Sequence, residues 1–503
     1  MRIQKYLIPA IISLMALGLV FQIFNNPLQA KAGSSGSSYE TIDAYVEEQM
    51  QSLNIPGVSL VIVEDGQLTH QRGFGQARPG GENPTPQTPF FIGSLTKSIT
   101  ALAIMQLVEG GKVELDAPVQ RYLPWFRVAD PSASAQMTVR HLLNQTSGLP
   151  TSAGEIQMAD FDDSPQAAEK QARALSNLVL TRPVGSAFEY SNANYNLLGL
   201  VIEATSGETY AGYIREHIFT PLDMDHSYTS RAAAQQNGLA MGHRYWFTIP
   251  FAAPDTPVPE GSLPAGQIIS CSEDMGHYMI ALLNGGRYGE EQILSQAGIA
   301  EMQQGVADDI VMGISVGRYG MGWFVDESGS SKLVWHSGTT PDFGAFIALF
   351  PEQKKGLVMF FNANHHWFTP VLAGFGSEAA ALLAGEQLEP IEFVAIIPWM
   401  LRALLLIPLI QIIDVVVTLR FLRKWSLEPG RRPSGWRFWI GTVLLPLVPS
   451  LLIACTLIPM LGETRGYMML YMPDYSWIAI LCGSFAVIWI FMRTWQVLRK
   501  TQN

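Results

Sequence analysis

Apolar residues along this chain follow two short periods in its middle and run unbroken at its ends. Thr41–Leu53 carries apolar positions at helical spacing and predicts an amphipathic helix. Val58–Val63 and Gln67–Gly75 predict two strands joined by an Asp65-Gly66 hairpin turn. Far downstream, Met321–Asp326, Lys332–His336, Ala345–Phe350 and Gly356–Phe361 form an apolar meander broken by Gly/Ser and Pro/Lys turns. Val371–Leu383, just after Pro370, predicts a closing helix, and the stretch between the two strand groups is mostly helical in pattern. An antiparallel sheet split between the two ends of a domain, with helices inserted, is an α+β plan.

The ends have a different character. Arg2 and Lys5 precede an apolar run, Tyr6–Phe24, and small residues follow at Ala30 and Ala32, the order of a secretory signal or signal anchor. Ala32–Ser38 is a Gly/Ser-rich leader. After about Phe393 come three apolar segments, near 395–419, 438–461 and 477–491, each close to the length of a membrane span. The first connection holds Arg420, Arg423, Lys424, Arg431, Arg432 and Arg437, and the tail holds Arg493, Arg499 and Lys500. The second connection has only Arg465, with Glu463 and Asp474. Cationic loops stay in the cytoplasm. The expected organisation is therefore a signal over 1–32, an extracellular or periplasmic domain over 39–388 and three transmembrane helices within 393–500, with the C-terminus cytoplasmic. Arg402, near the outer end of the first span, is expected to snorkel to the interface.

Composition agrees. Only 15% of the 503 residues are charged, and the mean hydropathy is +0.16, high for a soluble enzyme. A net charge of −11 excludes a nucleic-acid footprint. Of the three cysteines, Cys455 and Cys482 lie in apolar runs, which leaves Cys271 without a partner in the domain. Neither cysteine spacing nor His365-His366, taken as solvated loop histidines, predicts a metal, and no cofactor is expected.

Three short strings carry chemistry. In Phe91-Ile92-Gly93-Ser94-Leu95-Thr96-Lys97, at a helix start, Ser94 and Lys97 are one turn apart and share a face. A lysine buried beside a serine loses proton affinity and becomes a base, and free N–H groups at a helix start can hold an oxyanion. Glu189-Tyr190-Ser191-Asn192 precedes a second helix. A tyrosine beside an ammonium has a lowered phenol pKa and can carry protons, and Asn192 offers a donor and an acceptor to an amide. Capping of that helix by Ser191 or Asn192 is compatible with the same residues. Trp335-His336-Ser337-Gly338-Thr339 ends an apolar strand, where a substrate backbone could lie alongside and the Thr339 N–H could serve as a second oxyanion donor.

These strings, in this order, resemble the serine β-lactamase and penicillin-binding family, in particular class C β-lactamases and D-alanyl-D-alanine carboxypeptidases with their Ser-x-x-Lys, Tyr-x-Asn and Lys/His-x-Gly motifs. The resemblance covers roughly 40–385 and includes His141–Pro150 and Pro264–Met275. It implies a β-lactamase/transpeptidase-like fold, Ser94 as nucleophile and Lys97 with Tyr190 as the proton carriers. It also implies substrate binding by Asn192 and by the strand His336, Ser337, Gly338 and Thr339. His336 stands where class C β-lactamases carry lysine, which points towards carboxypeptidase, esterase or amidase relatives. The signal and three-span tail resemble a membrane subgroup that includes prodrug-cleaving peptidases of the colibactin type.

The expected activity is hydrolysis of amide or ester bonds in peptide-like substrates. A β-lactam-binding sensor or wall-associated scaffold that acylates without turnover, and a true β-lactamase, are the alternatives. Expected partners are a peptide-like small substrate or β-lactam, the lipid bilayer, and a membrane protein docked on the three-helix tail.

Overall fold

The computed structural model describes residues 38–311, 314–329, 331–386, 392–403, 405–427, 462 and 464–499. Helix α1 (Ser38–Leu53) leads into strands β1 (Gly57–Glu64) and β2 (Gln67–Gly75). Asp65 and Gly66 both take positive φ, 47° and 76°, as a two-residue hairpin turn requires. The chain then leaves the sheet for a helical region containing α2 (Thr96–Glu109), α3 (Thr151–Met158), α4 (Asn192–Ser206) and α5 (Ser272–Leu283). It returns through β3 (Ala307–Val311), β4 (Ile314–Tyr319), β5 (Phe324–Asp326), β6 (Leu333–Thr339), β7 (Gly344–Phe350) and β8 (Lys355–Phe361). Helix α6 (Thr369–Ala384) closes the domain.

The sheet runs in the order β2-β1-β8-β7-β6-β5-β4-β3. Its first and last segments join antiparallel from Val58↔Phe361 to Glu64↔Lys355, so the two ends of the domain meet inside one sheet. Side chains alternate across it. Val61 and Val63 enter the core shared with α2 and α5, while Val58, Leu60 and Ile62 enter the core shared with α1 and α6. A sheet between two helical layers is the expected α+β plan.

Two details differ from the pattern-based reading. The meander includes a further edge hairpin, β3 and β4, whose Asp308, Asp309 and Arg318 hide its strand character. Only Phe324–Asp326 of the expected Met321–Asp326 is strand, because Gly322 turns at φ 79° and brings the backbone onto the carbonyl of Lys97.

Beyond the domain lie α7 (Glu392–Ala403), α8 (Leu406–Leu427), α9 (Arg465–Tyr471) and α10 (Pro473–Arg499). The expected first span, 395–419, is thus two helices rather than one, with Pro398 inside α7. The second, 438–461, lies outside the described residues, and the third, 477–491, falls within α10. Among the described residues, one helical stretch meets the length and hydropathy of a membrane span, His366–Ala384. Half of it is buried, and its α6 portion is a core helix of the domain.

Candidate active site

Local backbone geometry brings two of the three strings together. Phe90–Phe91 pairs with Ile269–Ser270, and a short 3₁₀ turn, Gly93–Leu95, follows before α2 begins at Thr96. Gly93 holds φ 54°, and a Cβ placed on it would lie 2.2 Å from the Thr339 nitrogen. A Cβ on Gly338 would lie 2.0 Å from the Ile92 carbonyl oxygen. Two glycines facing each other let β6 press against the turn that carries Ser94, with the Thr339 N–H beside the Gly93–Ser94 peptide.

Lys97 is fully buried. Its Nζ lies 2.9 Å from Ser94 Oγ, 2.7 Å from Asn192 Oδ1 and 2.7 Å from the Ala265 carbonyl oxygen. Burial pushes its pKa well below the ordinary lysine value. As an amine, Lys97 has two N–H groups, which the two carbonyl oxygens take, and its lone pair then faces the Ser94 hydroxyl.

Tyr190 bonds to Ser94, and its ring lies 4.8 Å from Lys97 Nζ. Its pKa is raised by burial, not lowered as expected, and the bond to Ser94 offsets only part of that. The expectation required an ammonium neighbour, and burial disfavours the charged form of Lys97 as well. Gln145 aligns the loop: its carbonyl oxygen accepts from Glu189 N at 2.8 Å, and its Oε1 accepts from Ser191 N at 2.9 Å. Ser191 makes no side-chain cap. Its hydroxyl donates to the Pro150 carbonyl instead.

On β6 the pleat separates roles. His336 and Gly338 face the Ser94 side and are buried, while Trp335 stacks on Phe346 in the opposite core. The strand's period of two puts the side chains of Ser337 and Thr339 on that far side as well, so these two can offer the site only their backbone. His336 Nδ1 donates to the Ser337 carbonyl at 2.6 Å, and Nε2 lies 3.3 Å from the Tyr319 hydroxyl. Burial, and then the nearby Lys97, drop its pKa to about 3, so the imidazole is neutral. Pairing with β5 ends at Phe324↔Trp335, which leaves 336–339 with an open edge on that side.

Gln145, Ala265 and Tyr319 have no signal of their own in the sequence beyond lying in or near family-like stretches. A Gly-x-Ser-x-Gly string does occur, at 313–317. Its Ser315 sits in strand β4 opposite Ile310, not at the strand-to-helix turn of a nucleophile elbow. His226, Cys271 and Asp274 come within 4.8 Å of one another, but Asp274 accepts from His226 N and Ser227 Oγ while Cys271 caps α5. That arrangement is helix capping. His365 is buried and His366 half-buried, neither in a solvated loop, and His365 pairs with Asp474 at 2.8 Å.

The sequence profile described as Beta-lactamase matches residues 42–381. Protein flp of Staphylococcus aureus (strain MW2) is 29% identical over 338 residues, 66% of this chain and 65% of that protein. The unguisins hydrolase ungD' of Aspergillus campestris is 29% identical over 333 residues, 64% of this chain and 61% of that protein. The chain thus spans just under two thirds of the length of these relatives. The octameric penicillin-binding protein homologue from Pyrococcus abyssi superposes with a TM-score of 0.60 at 30% identity, covering 70% of this chain and 78% of that one. The fold, the family profile and these relatives agree: the chain belongs to the beta-lactamase family, whose members are generally serine hydrolases.

Proposed function

We propose that the protein is a membrane-anchored serine hydrolase that forms an acyl-enzyme on Ser94 and cleaves amide or ester bonds of peptide-like substrates. The carrying observation is the shell of Lys97: two carbonyl oxygens occupy its N–H groups, and Ser94 Oγ stands 2.9 Å away at the remaining position. Lys97 takes the Ser94 proton as Oγ adds to the substrate carbonyl. The backbone N–H groups of Ser94 and Thr339 hold the oxyanion. Tyr190, neutral and bonded to Ser94, passes a proton to the leaving group as the carbon–nitrogen or carbon–oxygen bond breaks. Lys97 then passes the Ser94 proton on to Tyr190, which restores the amine and the neutral phenol. Water attacks the ester as the Lys97 amine takes its proton, and Lys97 hands that proton to Ser94 Oγ as the carbon–Oγ bond breaks and the acid leaves. Asn192 gives its Oδ1 to Lys97, so a substrate carbonyl meets its Nδ2. The open edge of 336–339 pairs with the substrate backbone. A neutral His336 offers no charge to a substrate carboxylate, which favours the peptidase or esterase reading over a true β-lactamase.

The membrane part rests on the apolar tail. Leu409, Ile412, Ile413, Val416 and Leu419 of α8, and Trp477, Leu481, Phe485 and Val487 of α10, are exposed, an apolar surface suited to lipid. In this reading the domain lies outside the cytoplasm, on the side opposite the cationic connection 420–437 and the cationic tail.

A fluorescent alkyl phosphonate should label Ser94, and Ser94→Ala should abolish labelling. An adduct found on another serine would overturn the mechanism. Steady ester turnover separates the hydrolase from a sensor that stops at the acyl-enzyme. Protease added to intact cells should cut within 39–388, and protection of that region would overturn the topology.

A further inference from the structure

Several features that the chemistry leaves unused converge on one segment. Helix α9 lies against α3, where Tyr467, Leu470 and Tyr471 form an apolar cluster with Met158. Directly after it, Asp474 is fully buried and holds three partners: His365 Nε2 at 2.8 Å and the backbone N–H groups of Phe247 at 2.8 Å and Tyr475 at 2.7 Å. Phe247 and Thr248 turn the hairpin His243–Trp246/Ile249–Ala252 with positive φ, 51° and 73°, and neither is glycine. Arg402 is not free to snorkel, since its Nε donates to Thr248 Oγ1 at 2.7 Å. Tyr467 OH meets His366 Nδ1 at 3.1 Å. The aromatic hairpin, the paired histidines and the arginine at the end of α7 thus form one seat for the tail.

The seat adjoins the reacting groups. A narrow cavity is lined by Phe91, Gln267, Thr340 and Pro341 of the domain and by Leu470 and Tyr471 of α9. Phe91 begins the string that carries Ser94, Gln267 lies two residues after the Ala265 that binds Lys97, and Thr340 follows Thr339. The room left is ≈ 10 Å³, about one water molecule. Leu470 and Tyr471 of the tail thus close one side of this cavity, next to Thr340 just past the end of β6.

We propose that residues 465–476 are a wall of the substrate cleft, latched by Asp474 on His365, and that Leu470 and Tyr471 limit the substrate group seated beyond Thr339 to a short one. The inference rests on the Ser94 hydrolase reading. It narrows the substrate class to amides or esters with a compact group at that end, and it makes His365 and Asp474 positioning residues for the wall.

The test uses the full-length protein in detergent and p-nitrophenyl esters from acetate to octanoate. Leu470→Ala and Tyr471→Ala should each raise the octanoate-to-acetate ratio of kcat/KM about tenfold, the scale on which pocket size discriminates methylenes. Asp474→Ala should raise it too, and Asp474→Asn, which keeps an acceptor for Phe247 N–H, should restore most of the wild-type ratio. Ile412→Ala, on the exposed face of α8, should leave it unchanged. Ratios within twofold of wild type in all three alanine variants, with Ser94 still labelled by a phosphonate, overturn the proposal and leave the hydrolase reading standing. A Ser94 that no phosphonate labels overturns the hydrolase reading instead. Disulfide trapping then decides the wall: Met158→Cys with Leu470→Cys should cross-link under mild oxidation, and failure to cross-link overturns it.

Discussion

A charged lysine with no solvent contact normally costs more to bury than its neighbours return, and the three oxygens around Lys97 are all on neutral groups, with no carboxylate to offset an ammonium. Lys97→Ala and Tyr190→Phe should each slow acylation by about 10²–10⁴. Because both act on one proton path, the double variant should lose far less than the product of the two, measured by stopped-flow labelling. The pH profile follows from the same burial. The amine is the active form, and its pKa lies well below the ordinary lysine value. Acylation should therefore hold at neutral pH and fall as acid protonates Lys97. His336, with a pKa of about 3, should not be the source of that limb, so His336→Asn should leave the midpoint where it is. A midpoint that moves with His336→Asn would reassign the titrating group. Ser94, Lys97 and Tyr190 were legible in the sequence because their types and spacing carry the chemistry. The direction of the Tyr190 shift was not, since it depends on burial, and neither was Ala265, which contributes only a carbonyl that every residue possesses.

At the scale of elements, the decisive contact is between β6 and the 3₁₀ turn ahead of α2, backbone against backbone with no side chain between them. Gly93→Ala and Gly338→Ala each insert a methyl group where a backbone atom lies 2.2 Å or 2.0 Å away. Both should cut phosphonate labelling at least tenfold while circular dichroism stays near wild type, and normal labelling of both would show that the strand need not press on the turn. The hairpin β1–β2, strands β6 to β8 and the closing helix were readable from apolar period and turn residues. The β3–β4 hairpin was not, since an edge strand with charged positions lacks the alternation of a half-buried one. The break of the first tail segment into α7 and α8 was equally hidden, because hydropathy averages over the turn at Leu405.

For the whole molecule, the apolar pattern suggested a domain complete by residue 388 whose core needs nothing from the three-span tail. The buried Asp474–His365 pair changes that expectation. Burial alone would raise the pKa of Asp474, but bonds from His365, Phe247 N–H and Tyr475 N–H hold it below the ordinary carboxylate value. Such a group stabilises the docked tail above the ordinary carboxylate range and stops doing so as pH falls through its lowered pKa. Acid should therefore loosen residues 465–476 before it unfolds the domain, seen as faster amide exchange in 243–252. A fragment over 33–388 should fold, since all of the first core and, apart from Ile397 and Leu401 of α7, all of the second come from earlier residues. It should melt a few degrees lower than the full chain, in keeping with a lost charged hydrogen bond of about 1.5–3 kcal/mol. An unchanged melting temperature would mean that the pair contributes nothing.

The order of synthesis gives the docked tail another consequence. Ser94 leaves the ribosome well before Tyr471, and at about 5–20 residues per second roughly 20 to 75 seconds separate them. During that interval the nascent domain can assemble its nucleophile while the cleft stands unwalled. Its most permissive state is therefore a young one, and a chain truncated or stalled before residue 465 would keep that breadth for its lifetime. Completing translation would then be a maturation step, one that narrows what the enzyme accepts without any cleavage or modification.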